Sequence, residues 1–321
     1  MPRIAVLTSG GDAPGMNAAI RAVVRTALCL GAEVFGVDRG YHGLVRGQMR
    51  PMDHRSVSGI IGRGGTILHS TRSEEFKSAE GQRAAAEVIK QHELDGLAII
   101  GGDGSYRGAL AINRTCGVRV IGIPGTIDND IPGTRFTIGY DTAINTALDA
   151  IDRIRDTSEA HDRIFVVEVM GRLNGSIALE VAVAGGAEAV IIPERKTDMI
   201  ALCEKIRSWG AQGKMSSIII VAEGAASGQD VAATITQVTG LATRLTVLGH
   251  IQRGGAPTAR DRALATRLGH RAAQLLLEGK TNLQVGVGDR DDIVATPLEQ
   301  VLVGARMPDV SLLDVVDITA T

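Results

Sequence analysis

A chain of 321 residues is long enough for one large or two medium domains, each with its own core. Its 34 lysines and arginines nearly balance 36 aspartates and glutamates, leaving a formal charge of −2, and aromatic residues make up only 2%. These totals exclude the basic footprint of a nucleic-acid binder and an aromatic platform for stacking bases or sugars.

The N-terminal segment, Met1 to Thr8, reaches glycine too soon for a signal peptide, and no later run approaches the ~18 apolar residues of a membrane span. Cys29, Cys116 and Cys203 form no CxxC pair, so neither a disulfide framework nor a zinc site is expected. The expectation is a soluble cytoplasmic protein. The first strand, Ile4 to Leu7, runs into Thr8-Ser9-Gly10-Gly11-Asp12-Ala13-Pro14-Gly15. For Gly10-Gly11 alone, an ordinary strand-to-helix turn accounts for the pattern. A helix follows over 16–30, with Met16, Ile20, Val23, Val24, Ala27 and Leu28 on one stripe. Glu33 to Val37 is the next strand. Arg21 and Arg25, at i and i+4 on the helix's polar face, read either as solvated charges or as a site for an anion.

Two further strands, Leu97 to Ile100 and Val118 to Ile123, each end in a glycine-flanked acidic loop. The first loop is Gly101-Gly102-Asp103-Gly104-Ser105, which is neither a P-loop nor a GxGxxG turn. A carboxylate between glycines at a strand's C-terminal end sits where open parallel sheets bind ligands, and it suits Mg²⁺. The second loop is Pro124-Gly125-Thr126-Ile127-Asp128-Asn129-Asp130. In an extended segment Asp128 and Asp130 share a side, and their repulsion calls for a cation or a substrate proton between them. An Asx-rich turn ahead of Pro132-Gly133 is the plainer alternative. Together the loops point to phosphoryl transfer.

A second amphipathic helix is predicted over 139–155, buried through Ala143, Ile144, Ala147, Leu148, Ile151 and Ile154. Strands then recur at 164–170, 189–192, 217–222 and 245–248, ending in Gly171-Arg172, Pro193-Glu194, Glu223-Gly224 and Gly249-His250. This alternation implies an α/β protein built from two three-layer αβα domains with mostly parallel sheets. No linker marks the boundary, so the chain is expected to cross between domains more than once. Arg72, Arg172 and Arg253 lie at ligand-side strand ends and suit phosphate, which guanidinium meets bidentately. Arg163 and Arg244 precede their strands and so sit at the opposite sheet edge, with Arg163 ~20 Å from Arg172 at ~3.3 Å per residue. They are either structural or part of a site on another subunit.

The motifs at 7–17, 101–105, 124–130, 169–172 and 249–255 together resemble those of bacterial ATP-dependent 6-phosphofructokinases, over essentially the whole chain. The resemblance implies a phosphofructokinase-like fold, with an ATP domain over 1–138 plus about 252–302. A fructose 6-phosphate domain would cover 139–251 plus about 303–321. It implies transfer of the γ-phosphoryl group of ATP to the 1-hydroxyl of fructose 6-phosphate, the committed step of glycolysis. Asp128 would be the general base, and Thr126, Arg72, Arg172 and the backbone at Gly11 would stabilise the transferring group. Asp103 would hold Mg²⁺ with Asp130 assisting, and Ser73, Gly102, Gly104 and Ser105 would complete the nucleotide site. Ile127, Met170, Gly171, Glu223, Ile251 and Gln252 would line the sugar site, with His250 and Arg253 on its 6-phosphate. Arg163 and Arg244 would complete that site from an adjacent subunit of a homotetramer.

Pyrophosphate-using relatives carry aspartate and lysine where this chain has Gly104 and Gly125, so the glycines favour ATP. Arg21, Arg25, Arg155, Gly186, Glu188 and Lys214 match the family's effector site for ADP, GDP or phosphoenolpyruvate. Strongly regulated members, however, have charged residues where this chain has Gln212, His54 and Gly59, which implies weaker coupling. The alternatives are a pyrophosphate-dependent phosphofructokinase and a sugar-phosphate-binding regulator, which would not need the paired aspartates.

Overall fold

The computed structural model describes residues 1–159, 163–214 and 216–320. Its strands are β1 (Arg3–Thr8), β2 (Glu33–Val37), β3 (Met49–Met52), β4 (Gly96–Gly101), β5 (Arg119–Pro124), β6 (Ile164–Val169), β7 (Ala189–Ile191), β8 (Ser217–Ala222), β9 (Thr243–Val247), β10 (Leu283–Val287) and β11 (Ile293–Pro297). Each strand expected from an apolar run is present. The two expected helices span Met16–Cys29 and Tyr140–Glu159. β3, β10 and β11 were not foreseen, because MRPM, LQVGV and IVATP lack the continuous apolar run that marks a doubly covered strand. β3 and β11 are antiparallel edges, where proline is tolerated.

The chain divides into two compact units. The first comprises Met1–Ile127, Ile131–Thr142 and Arg253–Arg306; the second comprises Asp128–Asp130, Ala143–Gln252 and Met307–Thr321. One crossing falls inside the Tyr140 helix, and the short acidic stretch Asp128–Asp130 groups with the second unit.

The first unit holds a seven-stranded sheet in the order β11-β10-β5-β4-β1-β2-β3. Strand periodicity sends Ala5, Leu7, Leu97, Ile99 and Val120 to one face, where they pack with Tyr106, Ala109 and Ile112 of the helix Asp103–Cys116 and with Ala85 and Ile89 of the helix Ala79–Gln91. Ile4, Val6, Ala98, Ile100, Ile121 and Ile123 are equally buried on the other face, which the helices Met16–Cys29 and Ala259–Leu277 cover. Each fully buried large aliphatic side chain contributes about 1.5–3 kcal/mol, and burial on both faces explains why these strands read as unbroken apolar runs.

The second unit has a four-stranded parallel sheet, β7-β8-β6-β9. Ile164, Val166, Ile219 and Val221 pack against Leu202, Ile206 and Trp209 of the helix Met199–Ala211 and Val231 and Ile235 of the helix Gly228–Thr239. The helix Ser176–Ala184, apolar nearly all round, covers the opposite face of β8. Both units therefore have the helix–sheet–helix layering that the alternation implied.

Candidate active site

In the first unit the sheet register brings three loops together. Thr8 pairs with Ile100, and Gly101 pairs with Pro124, so the C-terminal ends of β1, β4 and β5 lie side by side. The loops are also tied directly. The Ser9 N–H donates to the Ile100 carbonyl at 3.0 Å, the Ser105 hydroxyl donates to the Ser9 carbonyl at 3.0 Å, and the Gly125 N–H donates to the Gly101 carbonyl at 3.1 Å. Gly11, Gly102 to Ser105 and Thr126 thus share one edge.

Asp103 is the first residue of its helix, after the N-cap Gly102, so exposed backbone N–H groups and the positive end of the helix dipole face the same place. Its carboxylate is partly exposed and pairs with Arg107 at 2.9 Å. Among the described residues no three His, Cys, Asp or Glu side chains gather into a metal cluster. A divalent cation would be held chiefly by a ligand's phosphates with Asp103 as protein carboxylate, which is the pattern Mg²⁺ takes.

The two glycines of these loops differ in their surroundings. A Cβ on Gly104 would meet nothing within 4 Å, whereas on Gly125 it would meet Ile100 Cγ2 at 2.9 Å and Met16 Cε at 3.1 Å. Gly104 borders open space, but Gly125 is bare because the loop packs onto the core. Of the two, only Gly104 leaves free space at the loop edge.

Arg72 and Ser73 follow a segment laced to the end of β1. Thr8 Oγ1 donates to the His69 carbonyl at 2.7 Å, and Ser70 Oγ donates to the Gly10 carbonyl at 2.5 Å. Two residues beyond Ser70, Arg72 is exposed, while Ser73 Oγ accepts from the Phe76 N–H at 3.2 Å. The guanidinium of Arg253 lies against Gly11, where any Cβ would overlap it, and its Nε is enclosed with no acceptor among the described residues. Arg253 is thus grouped with the Gly11 loop in this unit.

Tyr41 was missed by sequence reasoning. Its hydroxyl donates to the Ser105 carbonyl at 2.6 Å, its ring stacks on Phe76 at 4.2 Å, and burial pushes its phenol pKa well up. The available signal was Gly108, a helix-interior glycine: a Cβ there would collide with the Tyr41 ring.

In the second unit Asp128 and Asn129 are buried, and Asn129 has φ 52°. The extended 128–130 segment expected from sequence is therefore broken by a left-handed asparagine, a conformation asparagine tolerates. Asp130 is half-buried and lies 3.8 Å from Arg172. The ends of β6 and β8 meet where Glu223 accepts from the N–H of Gly171 at 3.3 Å and of Arg172 at 2.9 Å. Gly171 takes φ 146° and Arg172 φ 55°. Gln252 is fully buried: its carbonyl accepts from the Met170 N–H at 2.8 Å, and its amide donates to the Ala143 carbonyl at 3.3 Å. Both ends of the side chain are used internally, so it positions Met170. His250 and Ile251 are exposed in the short helix Gly249–Arg253.

Arg163 immediately precedes β6 and Arg244 is the second residue of β9, paired in register with Phe165. Both lie at the sheet edge opposite Met170, Arg172 and Glu223. Of the expected effector residues, Arg155 donates to the carbonyls of Gly185 at 2.5 Å and Gly186 at 2.9 Å. Glu188 is buried, accepts from the Ile218 N–H at 2.5 Å and pairs with Lys214 at 3.1 Å. Arg21 and Arg25, both half-buried, sit on the Met16–Cys29 helix of the first unit.

The phosphofructokinase family model matches residues 3–276. The chain belongs to the phosphofructokinase family. It is 58% identical over 289 residues to an ATP-dependent 6-phosphofructokinase of Clostridium tetani, covering 90% of each chain. Against the protein of that name from Clostridium botulinum strain Loch Maree it is 51% identical over 318 residues, 99% of each. Among solved structures it superposes on Saccharomyces cerevisiae phosphofructokinase with a TM-score of 0.88 and 37% identity, covering 94% of this chain and 45% of the yeast chain. A pyrophosphate-dependent phosphofructokinase from Marinobacter aquaeolei shares the fold, with a TM-score of 0.85 at 22% identity over 97% of this chain and 86% of that one. No described helix is long and apolar enough to cross a membrane.

Proposed function

We infer that this phosphofructokinase transfers the γ-phosphoryl group of ATP to the 1-hydroxyl of fructose 6-phosphate, giving fructose 1,6-bisphosphate and ADP. The observation that carries the reading is the shared edge of Gly11, Asp103 and Thr126 at the ends of β1, β4 and β5, in a chain matched end to end by bacterial ATP-dependent relatives. We propose Asp128 as the base: it takes the proton of the 1-hydroxyl as that oxygen bonds to the γ-phosphorus and the bond to the β–γ bridging oxygen breaks. The Gly11 N–H, Thr126, Arg72 and Arg172 stabilise the negative charge of the transferring group. Asp103 holds Mg²⁺, which neutralises phosphate charge when bound. Met170, Gly171 and Glu223 contact the sugar, and His250 and Arg253 its 6-phosphate. Arg163 and Arg244, being at the wrong edge for their own chain's sugar site, serve a neighbouring subunit of a homotetramer.

ATP is favoured over pyrophosphate because Gly104 leaves open space beside the helix N-terminus. Gly104→Asp is expected to lower kcat/KM for ATP by at least about tenfold, or ~1.4 kcal/mol. Gly125→Lys is expected chiefly to lower thermal stability, by roughly 1–3 kcal/mol of overpacking. Steady-state kinetics with ATP and a thermal melt separate the two; unchanged ATP kinetics in Gly104→Asp refutes the steric argument.

The effector set Arg21, Arg25, Arg155, Gly186, Glu188 and Lys214 binds ADP, GDP or phosphoenolpyruvate in this reading. Coupling is weak because Gln212, His54 and Gly59 stand where strongly regulated members carry a lysine, an arginine and an aspartate. Phosphoenolpyruvate is expected to shift half-saturation by fructose 6-phosphate less than about fivefold, the lower end of ordinary allosteric coupling. A larger shift in saturation curves with and without the effector contradicts the reading.

A further inference from the structure

Asp261 is the third residue of the helix Ala259–Leu277, fully buried, and no catalytic or binding role described so far uses it. Its Oδ1 accepts from the Gly139 N–H at 2.9 Å, and its Oδ2 accepts from the Thr142 N–H at 2.8 Å and the Thr142 hydroxyl at 2.6 Å. Gly139 immediately precedes the Tyr140–Glu159 helix and Thr142 is in its first turn. One carboxylate therefore sits at the N-termini of two helices and satisfies donors that the second helix cannot satisfy itself. Burial pushes its pKa up, and the bonds from Thr142 and Gly139 oppose that rise. Thr258 adds a second tie: its N–H donates to Thr142 Oγ1 at 3.1 Å and its hydroxyl to Asp141 at 2.6 Å.

The residues just before this helix hold the acidic loop. The Ile138 N–H donates to the Pro124 carbonyl at 2.9 Å, Ile138 bridges Gly125, and Thr137 Oγ1 donates to the Thr126 carbonyl at 2.6 Å. Gly139, at φ 103°, fits so tightly that a Cβ would meet Ala13 Cβ at 2.7 Å and Ile127 Cγ2 at 3.3 Å. A path of hydrogen bonds and main chain thus runs from Asp261 to Gly139, along the backbone to Ile138 and Thr137, and from Thr137 to the backbone of Thr126, two residues ahead of Asp128.

We propose that Asp261 is a positioning residue for phosphoryl transfer, its carboxylate pinning the 137–142 strap and through it the backbone of the Thr126 loop. The catalytic consequence rests on the roles assigned above to Thr126 and Asp128; the pinning does not. In Asp261→Asn the size is kept, but one acceptor becomes an amide facing an N–H donor. A small misplacement of reacting groups lowers turnover by up to ~10²-fold, so kcat is expected to fall about 10- to 100-fold. KM for ATP and for fructose 6-phosphate should move less than about threefold. Amide hydrogen exchange over 124–142 should rise in the same variant. Thr142→Val removes the hydroxyl's bond to Asp261 and its acceptance from the Thr258 N–H but keeps both backbone bonds to the carboxylate, so it should give a smaller kcat loss of the same kind; it carries the test if Asp261→Asn does not fold.

Unchanged exchange over 124–142 in the folded variant overturns the pinning, whatever the chemistry of the loop. Faster exchange with normal kcat overturns the positioning role, as does a loss that falls equally on KM and thermal stability with kcat intact. Failure of the underlying reading is distinguished by Asp128→Asn: normal turnover there removes the assigned base without touching the exchange result.

Discussion

Asp128→Asn is expected to lower kcat by about 10²–10⁴-fold, the usual contribution of general base catalysis, while fructose 6-phosphate affinity stays within a few-fold. The substitution is isosteric at a buried position, so the loop keeps its shape and the loss falls on proton transfer. Asparagine cannot take the proton of the 1-hydroxyl, yet it can still accept a hydrogen bond from it. That is why turnover and binding should separate. Steady-state kinetics beside equilibrium binding of fructose 6-phosphate make the comparison, and near-normal kcat would remove Asp128 from the role.

Arg72→Ala carries the second large effect, a fall in kcat of about 10²–10³-fold, typical of losing one preorganised group that meets charge developing in the transition state. Arg72 is exposed, and the segment before it is held through the Thr8–His69 and Ser70–Gly10 hydrogen bonds, not through its own side chain. Truncation should therefore leave the thermal melt nearly unchanged. Arg72→Lys keeps the charge but loses the planar fork, so it should recover only part of the rate. A loss confined to KM for ATP, with kcat intact, would make Arg72 a ground-state binder instead.

How much of this was legible in the sequence follows from what each residue does. β4 and β5 announced themselves as apolar runs because both faces are buried, and the glycine loops after them had to mark strand ends. The sheet edges were silent, since MRPM and IVATP carry polar or proline residues that edge strands accept. Strand direction alone placed Arg163 and Arg244 opposite the other arginines. Side-chain direction was beyond reach: Gly104 and Gly125 look alike as letters, but one borders open space and the other the Ile100–Met16 core. Asn129 broke the alternation assumed for 128–130, which a tolerant residue type allows but does not announce. Tyr41 and Asp261 act through partners 64 and 119 to 122 positions away, a separation at which local pattern carries no information. Gln252 was placed in the sugar site by the family resemblance, yet both ends of its side chain are engaged internally.

The central claim is that ATP donates the phosphoryl group to the 1-hydroxyl of fructose 6-phosphate. It is tested most directly by assaying the purified chain with Mg²⁺ and fructose 6-phosphate, supplying ATP or pyrophosphate in parallel and identifying the products. Fructose 1,6-bisphosphate and ADP should form stoichiometrically with ATP, with little or no product from pyrophosphate. Turnover driven by pyrophosphate as well as or better than by ATP, or no bisphosphate from either donor, would contradict it.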